Sequence, residues 1–158
     1  MRRTVVLPVI LLAFLVVAPV QAGPPGTFRA SITEEFTATD CFDSALPPAA
    51  DLCGSAKTRG QGKAITETIV TVFDPLPSGC FHDVHTTTLT FKHDRGTLVL
   101  DIGGTLCPTG GGNFTFAGTY AVASGTGKYV GATGDGTIVG ARQDGPVESD
   151  LTGSLETD

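Results

Sequence analysis

The chain has 158 residues with ten basic and sixteen acidic side chains, a formal charge of −6. That is enough for one compact domain. The acidic balance, with no run of Lys or Arg to interrupt it, argues against nucleic acid and anionic membrane surfaces as partners.

The N-terminus carries the first signal. Arg2 and Arg3 precede an apolar run from Val5 to Val20, and Val20-Gln-Ala22 offers small residues of the kind signal peptidase accepts. Cleavage is expected after Ala22. A transmembrane anchor is the competing reading, but the run is about as short as a span can be, contains Pro8 and Pro19, and leads straight into Gly23-Pro-Pro-Gly26. General secretion is favoured over the twin-arginine route, which the paired arginines leave open. Cleavage would remove Arg2 and Arg3, leaving eight basic against sixteen acidic side chains, a formal charge of −8. No second hydrophobic segment follows, so residues 23–158 are expected as a single extracellular domain, with a periplasmic or cell-surface location as the variants. No membrane contact is expected after cleavage.

From residue 27 onward apolar and polar side chains alternate in pieces of strand length, separated by Gly, Pro and Asp. Strands are predicted near 27–38, 63–73, 80–92, 97–107, 113–123, 128–132, 135–142 and 147–156. No useful helical periodicity occurs. Residues 41–62, with Pro47, Pro48 and Gly60-Gln-Gly62, read as the one long connection, placed to cover a barrel mouth. Even spacing and one apolar face per strand predict an all-β, antiparallel barrel of about eight strands, closed or nearly so.

Four cysteines, Cys41, Cys53, Cys80 and Cys107, imply two disulfides in an exported chain. Residues 80–107 read as a hairpin about His93-Asp-Arg-Gly96, which brings Cys80 opposite Cys107. Cys41 then pairs with Cys53. Zinc ligation is disfavoured because no Cys-x-x-Cys spacing occurs.

The segment Gly118-Thr-Tyr-Ala-Val-Ala-Ser-Gly-Thr-Gly-Lys-Tyr-Val-Gly-Ala-Thr-Gly-Asp-Gly-Thr-Ile-Val-Gly140 is short strands broken by glycine turns. It is not a phosphate-binding loop, since Val122 and Tyr129 stand where Gly and Ser or Thr are required, nor a dinucleotide fingerprint, since Val130 replaces the third glycine. The pattern resembles the tail of small secreted barrels of the allene oxide cyclase and dirigent type, bacterial-type members included. The resemblance implies a barrel with an interior cavity and no cofactor. Allene oxide cyclases close an unsaturated fatty-acid epoxide in an apolar cavity using a glutamate and ordered water. Dirigent proteins steer phenolic intermediates with acidic, arginine and tyrosine side chains. By that resemblance Glu34 or Glu67 takes the acidic role and Arg142 the guanidinium role. Two disulfides and few aromatic residues depart from the plant-type pattern.

Strand parity supplies the candidate site. Phe28, Ala30, Ile32, Glu34 and Phe36 share one face of the first strand, placing Glu34 among apolar neighbours. Glu67 falls between Ile65, Ile69 and Phe73. Asp83 and His85 share the face of Phe81, Leu89 and Phe91, Tyr120 that of Phe114, Phe116 and Val122, and Arg142 that of Ile138. A closed barrel would therefore gather Glu34, Glu67, Asp83, His85, Tyr120 and Arg142 in one interior. Buried carboxylates require a reason. Charge pairing with Arg142 is one, and a pocket with an apolar wall and polar anchors is another. A third is acid–base chemistry, with Glu34 or Glu67 held protonated by burial and His85 or Tyr120 as second participant.

Other constellations are weaker. His82 and His85, three apart on a strand, point to opposite faces and make a poor metal pair, and His93 reads as a surface residue. No Gly-x-Ser-x-Gly elbow occurs. Asp135 and Asp144 read as turn residues, and Asn113-Phe-Thr115 is a glycosylation sequon. The favoured expectation is a secreted barrel binding a small, partly apolar or phenolic molecule. A cofactor-free cyclase or isomerase and an inert surface barrel are the alternatives.

Overall fold

The computed structural model describes residues 26–37, 52–92 and 95–157. The expected signal peptide, Cys41 and His93 lie outside the described residues. Eight strands run in chain order: β1 (Gly26–Phe36), β2 (Leu52–Thr58), β3 (Gly62–Pro75), β4 (Phe81–Phe91), β5 (Gly96–Gly110), β6 (Asn113–Gly125), β7 (Asp135–Arg142) and β8 (Val147–Leu155). Each pairs antiparallel with the next, and β8 pairs back onto β1 to close the barrel. Closure gives every strand two partners and leaves no sheet edge exposed.

The predicted strand count is right through two compensating differences. The connection predicted over 41–62 contains β2, whose Leu-Cys-Gly-Ser-Ala-Lys-Thr sequence lacks the bulky β-branched residues that mark a strand. Pairing of β2 with β1 and β3 on its two sides supplies the stabilisation that propensity does not. Conversely, residues 128–132 form no strand: Gly127–Tyr129 is a 3₁₀ turn. Gly127 takes φ 59°, a conformation open to glycine, and so turns the chain inward. Tyr129 is thereby completely buried, its ring 4.7 Å from that of Phe91.

Alternate residues of the strands fill the interior as the parity requires. Phe28, Ala30 and Ile32 of β1, Leu89 and Phe91 of β4, Leu98, Leu100 and Ile102 of β5, Ile138 of β7 and Leu151 of β8 form one buried core. β3 runs against the predicted parity. Its inner face is Ala64, Thr66 and Thr68, while Ile65 and Ile69 are exposed. A β-bulge between Val70 and Val72 then shifts the register. Beyond it Phe73 pairs with inward-facing Asp83, so Phe73 points inward although Ile69, four residues earlier, points out.

The two barrel ends differ. At one, Tyr129 plugs the bore beneath the β6–β7 connection, with its hydroxyl 3.3 Å from Gln61 Oε1 in the β2–β3 turn. Among the described residues the other end is open. There the Cys80–Cys107 disulfide joins the start of β4 to β5, as expected from the hairpin. Cys53 on β2 is also disulfide-bonded. Its expected partner, Cys41, is outside the described residues.

Candidate functional site

A cavity of about 270 Å³ occupies the open end of the barrel. Phe36, Leu52, Val70, Phe73, Leu106, Phe114, Phe116, Ile138 and Val147 supply an apolar wall, and Glu34, Thr68, Asp83, His85, Arg142 and Ser149 supply the polar groups. All eight strands contribute, with Val147 and Ser149 bringing in β8. The site is therefore a product of closure rather than of any one hairpin.

Glu34 sits at the deep side of this cavity, 6 % exposed. It faces Gly54 of β2, and a Cβ at that position would lie 2.8 Å from Glu34 Cγ and 1.9 Å from the Thr33 carbonyl. The missing side chain lets the carboxyl reach past β2 to β3. There Thr68 Oγ1 donates to Glu34 Oε1 at 2.9 Å, and the Thr68 and Thr87 hydroxyls are 2.7 Å apart. Burial pushes the Glu34 carboxyl above its ordinary value, and the nearby Thr66 and Thr68 hydroxyls and His85 oppose that rise without cancelling it. The Thr66 hydroxyl approaches from β3 but stays outside hydrogen-bond geometry.

Asp83 and His85 lie two residues apart on β4 and so share its inner face. His85 Nδ1 is 2.8 Å from Asp83 Oδ1, and the imidazole leans on Phe116 with ring centroids 5.3 Å apart. With Nδ1–H donated to the carboxylate, Nε2 carries the free lone pair of the neutral ring. Arg142 stands at the mouth on β7. Its Nε donates to the Gly145 carbonyl at 3.0 Å and one terminal nitrogen to that of Gly112 at 3.2 Å, while the guanidinium covers Phe36 at 5.4 Å. Two turns and one aromatic ring thus hold the cation beside the opening.

Of the six predicted site residues, four meet here: Glu34, Asp83, His85 and Arg142. Glu67 does not. It lies on the outer face of β3 between inward-facing Thr66 and Thr68, opposite Cys53, because the parity of β3 is the reverse of that expected. Tyr120 points inward as expected but deeper, toward the plugged end. Its ring lies 6.0 Å from that of Phe28, over Gly136 and Gly153, whose missing side chains make its space, and it takes no part in lining the cavity. Burial and then the charge of Asp135 raise its phenol to about 12. Sequence alternation does not single out Thr68, whose hydroxyl holds Glu34, or Thr87, which bonds Thr68. The signal for Thr68 is the period-two series Ala64, Thr66, Thr68, which is as regular as the isoleucine series.

His82 is on the opposite face of β4 from His85, as their spacing predicts. Among the described residues no group of three or more His, Cys, Asp or Glu side chains is placed to hold a metal ion. The chain matches no known family model, no curated protein and no solved structure.

Proposed function

We propose that the protein binds a small, partly apolar molecule in the open end of its barrel, with Glu34, the Asp83–His85 pair and Arg142 as polar anchors. The cavity carries this reading: its volume of about 270 Å³ stands near the lower end of the roughly 300–1,000 Å³ usual for small-molecule sites. Apolar walls with a few convergent polar groups are the ordinary composition of such sites. A phenol or a comparable hydroxylated ring suits it, since a protonated Glu34 can donate to an oxygen while the rings of Phe116 and Phe73 receive the apolar body. Export is part of the proposal. A disulfide, and the lack of any helix among the described residues long and apolar enough to cross a membrane, are compatible with it.

One observation favours a second reading, a cofactor-free isomerase or cyclase. A carboxyl raised by burial and an imidazole oriented by Asp83 line the same cavity, which is the pairing of acid and base that proton transfer requires. The resemblance to allene oxide cyclases and dirigent proteins points the same way.

Native mass spectrometry of the protein purified gently from its natural source tests the binding reading. The expected result is a stoichiometric small-molecule adduct that Val70→Phe, which fills the cavity, abolishes. A clean apo mass together with no heat stabilisation by 2-naphthol, a small apolar phenol, would sink it and leave an inert barrel. Conversion of the captured molecule by the wild type but not by Glu34→Gln would establish the second reading.

A further inference from the structure

We infer that the plugged end of the barrel is a docking surface for an anionic polysaccharide, on a face remote from the ligand cavity. In the sequence the basic residues are scattered, and the chain as a whole is acidic. Folding sorts them. Arg142 is at the open mouth, and every other Lys or Arg among the described residues is exposed at or near the plugged end.

Their arrangement is more specific than a solvated face. Lys57 of β2 stands directly opposite Lys63 of β3, both outward because Ala56 and Ala64 point in. Lys92, which follows inward-facing Phe91, extends the row past Lys63, its amide donating to the Lys63 carbonyl at 3.4 Å. Just past the end of β2, Arg59 faces Arg29 of β1, joined by a 2.9 Å amide-to-carbonyl bond. Cations therefore stand opposite cations across each neighbouring pair from β1 to β4, a width of about 14 Å at ~4.8 Å per strand. Like charges in directly opposed pairs destabilise a sheet. None of the five is within ion-pair distance of a carboxylate among the described residues. Arg95 and Lys128 continue the track over the end of the barrel. Both reach Gln61, Arg95 to its carbonyl and Lys128 to its side chain, which crowds their two charges together. An anion laid along the track relieves the repulsion at every step.

The shape of the track selects the polyanion. It is a narrow row on a curved wall, bounded on one side by Asp150, whose carboxylate accepts from Ser31. A slender chain with one acid per repeat follows it. A flat bilayer meets only part of it, and among the described residues Ile65 and Val130 are the large exposed apolar side chains near it. Nucleic acid lacks a platform there, because the exposed aromatic rings, Phe36 and Phe73, are at the other end.

The test is affinity electrophoresis and calorimetric titration of the protein against alginate and heparin, with dextran as the neutral control. Binding to both anionic polymers is expected, falling steeply with added salt. Lys57→Gln with Lys63→Gln is expected to weaken it roughly ten- to thirty-fold, from about one increment of surface attraction per cation, while leaving thermal stability equal or higher. Arg29→Gln with Arg59→Gln serves as the second pair. No binding at low salt, or undiminished binding by both double variants, overturns the proposal. So does binding confined to phosphatidylglycerol vesicles or single-stranded DNA.

Discussion

Thr68 donates its hydroxyl hydrogen to Glu34 across an intervening strand, at 2.9 Å, through the gap left by Gly54. β1 and β3 are not neighbours in the sheet, so this bond exists only because the barrel curves and β2 presents no side chain there. It holds a carboxyl in an apolar cavity, where the neighbouring hydroxyls and His85 offset only part of the desolvation. Protonation is the remaining way to lower the cost of burial.

That has a pH consequence with a definite sign. A carboxyl raised in the folded state binds its proton more tightly there than in the unfolded chain, so its contribution to stability declines as pH rises from about the unfolded value of 4.5 through the raised folded value. Glu34→Gln retains an acceptor for Thr68 and removes the titration. Urea unfolding is expected to show the variant at least as stable as wild type at pH 7, with its relative advantage shrinking as the pH is lowered toward 4.5. An advantage that grows on acidification would contradict the assignment.

Gly54→Ala should be costly for the same reason. Its Cβ would meet the Thr33 carbonyl at 1.9 Å, and a backbone atom in a paired strand cannot step aside. A loss of about 1–3 kcal/mol, the usual range for overpacking, is expected in denaturant unfolding.

The Tyr120 hydroxyl is buried with no hydrogen-bond partner among the described residues. Leaving such a group unsatisfied costs about 1–3 kcal/mol, so Tyr120→Phe should be neutral or should raise the melting temperature. Since Tyr120 does not line the cavity, ligand capture should be unchanged. A clear loss of stability would reveal a partner for the hydroxyl.

Tyr129 is the plug. Its replacement by Ala removes a ring packed on Phe91 at 4.7 Å and should cost about 3–5 kcal/mol, the range for truncating a fully buried aromatic side chain. Unfolding by guanidinium measures it. A small effect would show that the neighbouring turns can collapse into the space.

The Cys80–Cys107 bridge closes a loop with a sequence separation of 27. Restriction of the unfolded chain by a loop of that length corresponds to about 3.5 kcal/mol at most. The double Ser variant should lose up to that amount and still fold, because β4 remains paired with β5 from Phe81 to Phe91.

The legible and the hidden parts of the site divide by strand. Large apolar residues mark the inner face on β1 (Phe28, Ile32, Phe36) and β4 (Phe81, Leu89, Phe91), and Ile138 marks it on β7, so Glu34, Asp83, His85 and Arg142 could be placed by counting. On β3 two alternating series compete. Ile65 and Ile69 are the more hydrophobic, yet Thr66 and Thr68 are buried, with Thr68 bonded to both Glu34 and Thr87. No local rule foresees that the polar series faces in, and the bulge after Val70 hides the correction by restoring Phe73 to the interior. β2 was invisible because its residues are small, and they are small partly because Glu34 lies over Gly54.

Alternation, turn glycines and cysteine spacing thus determined an all-β barrel, its hairpin disulfide and the inward direction of five polar side chains, because each of these depends on neighbours within one strand or one turn. Only the closed tertiary structure decided which end is plugged, where Glu67 and Tyr120 lie, and that most cations share one pole. Those outcomes rest on contacts between strands far apart in sequence. Their register and curvature are fixed jointly around the ring, and no single segment carries that information.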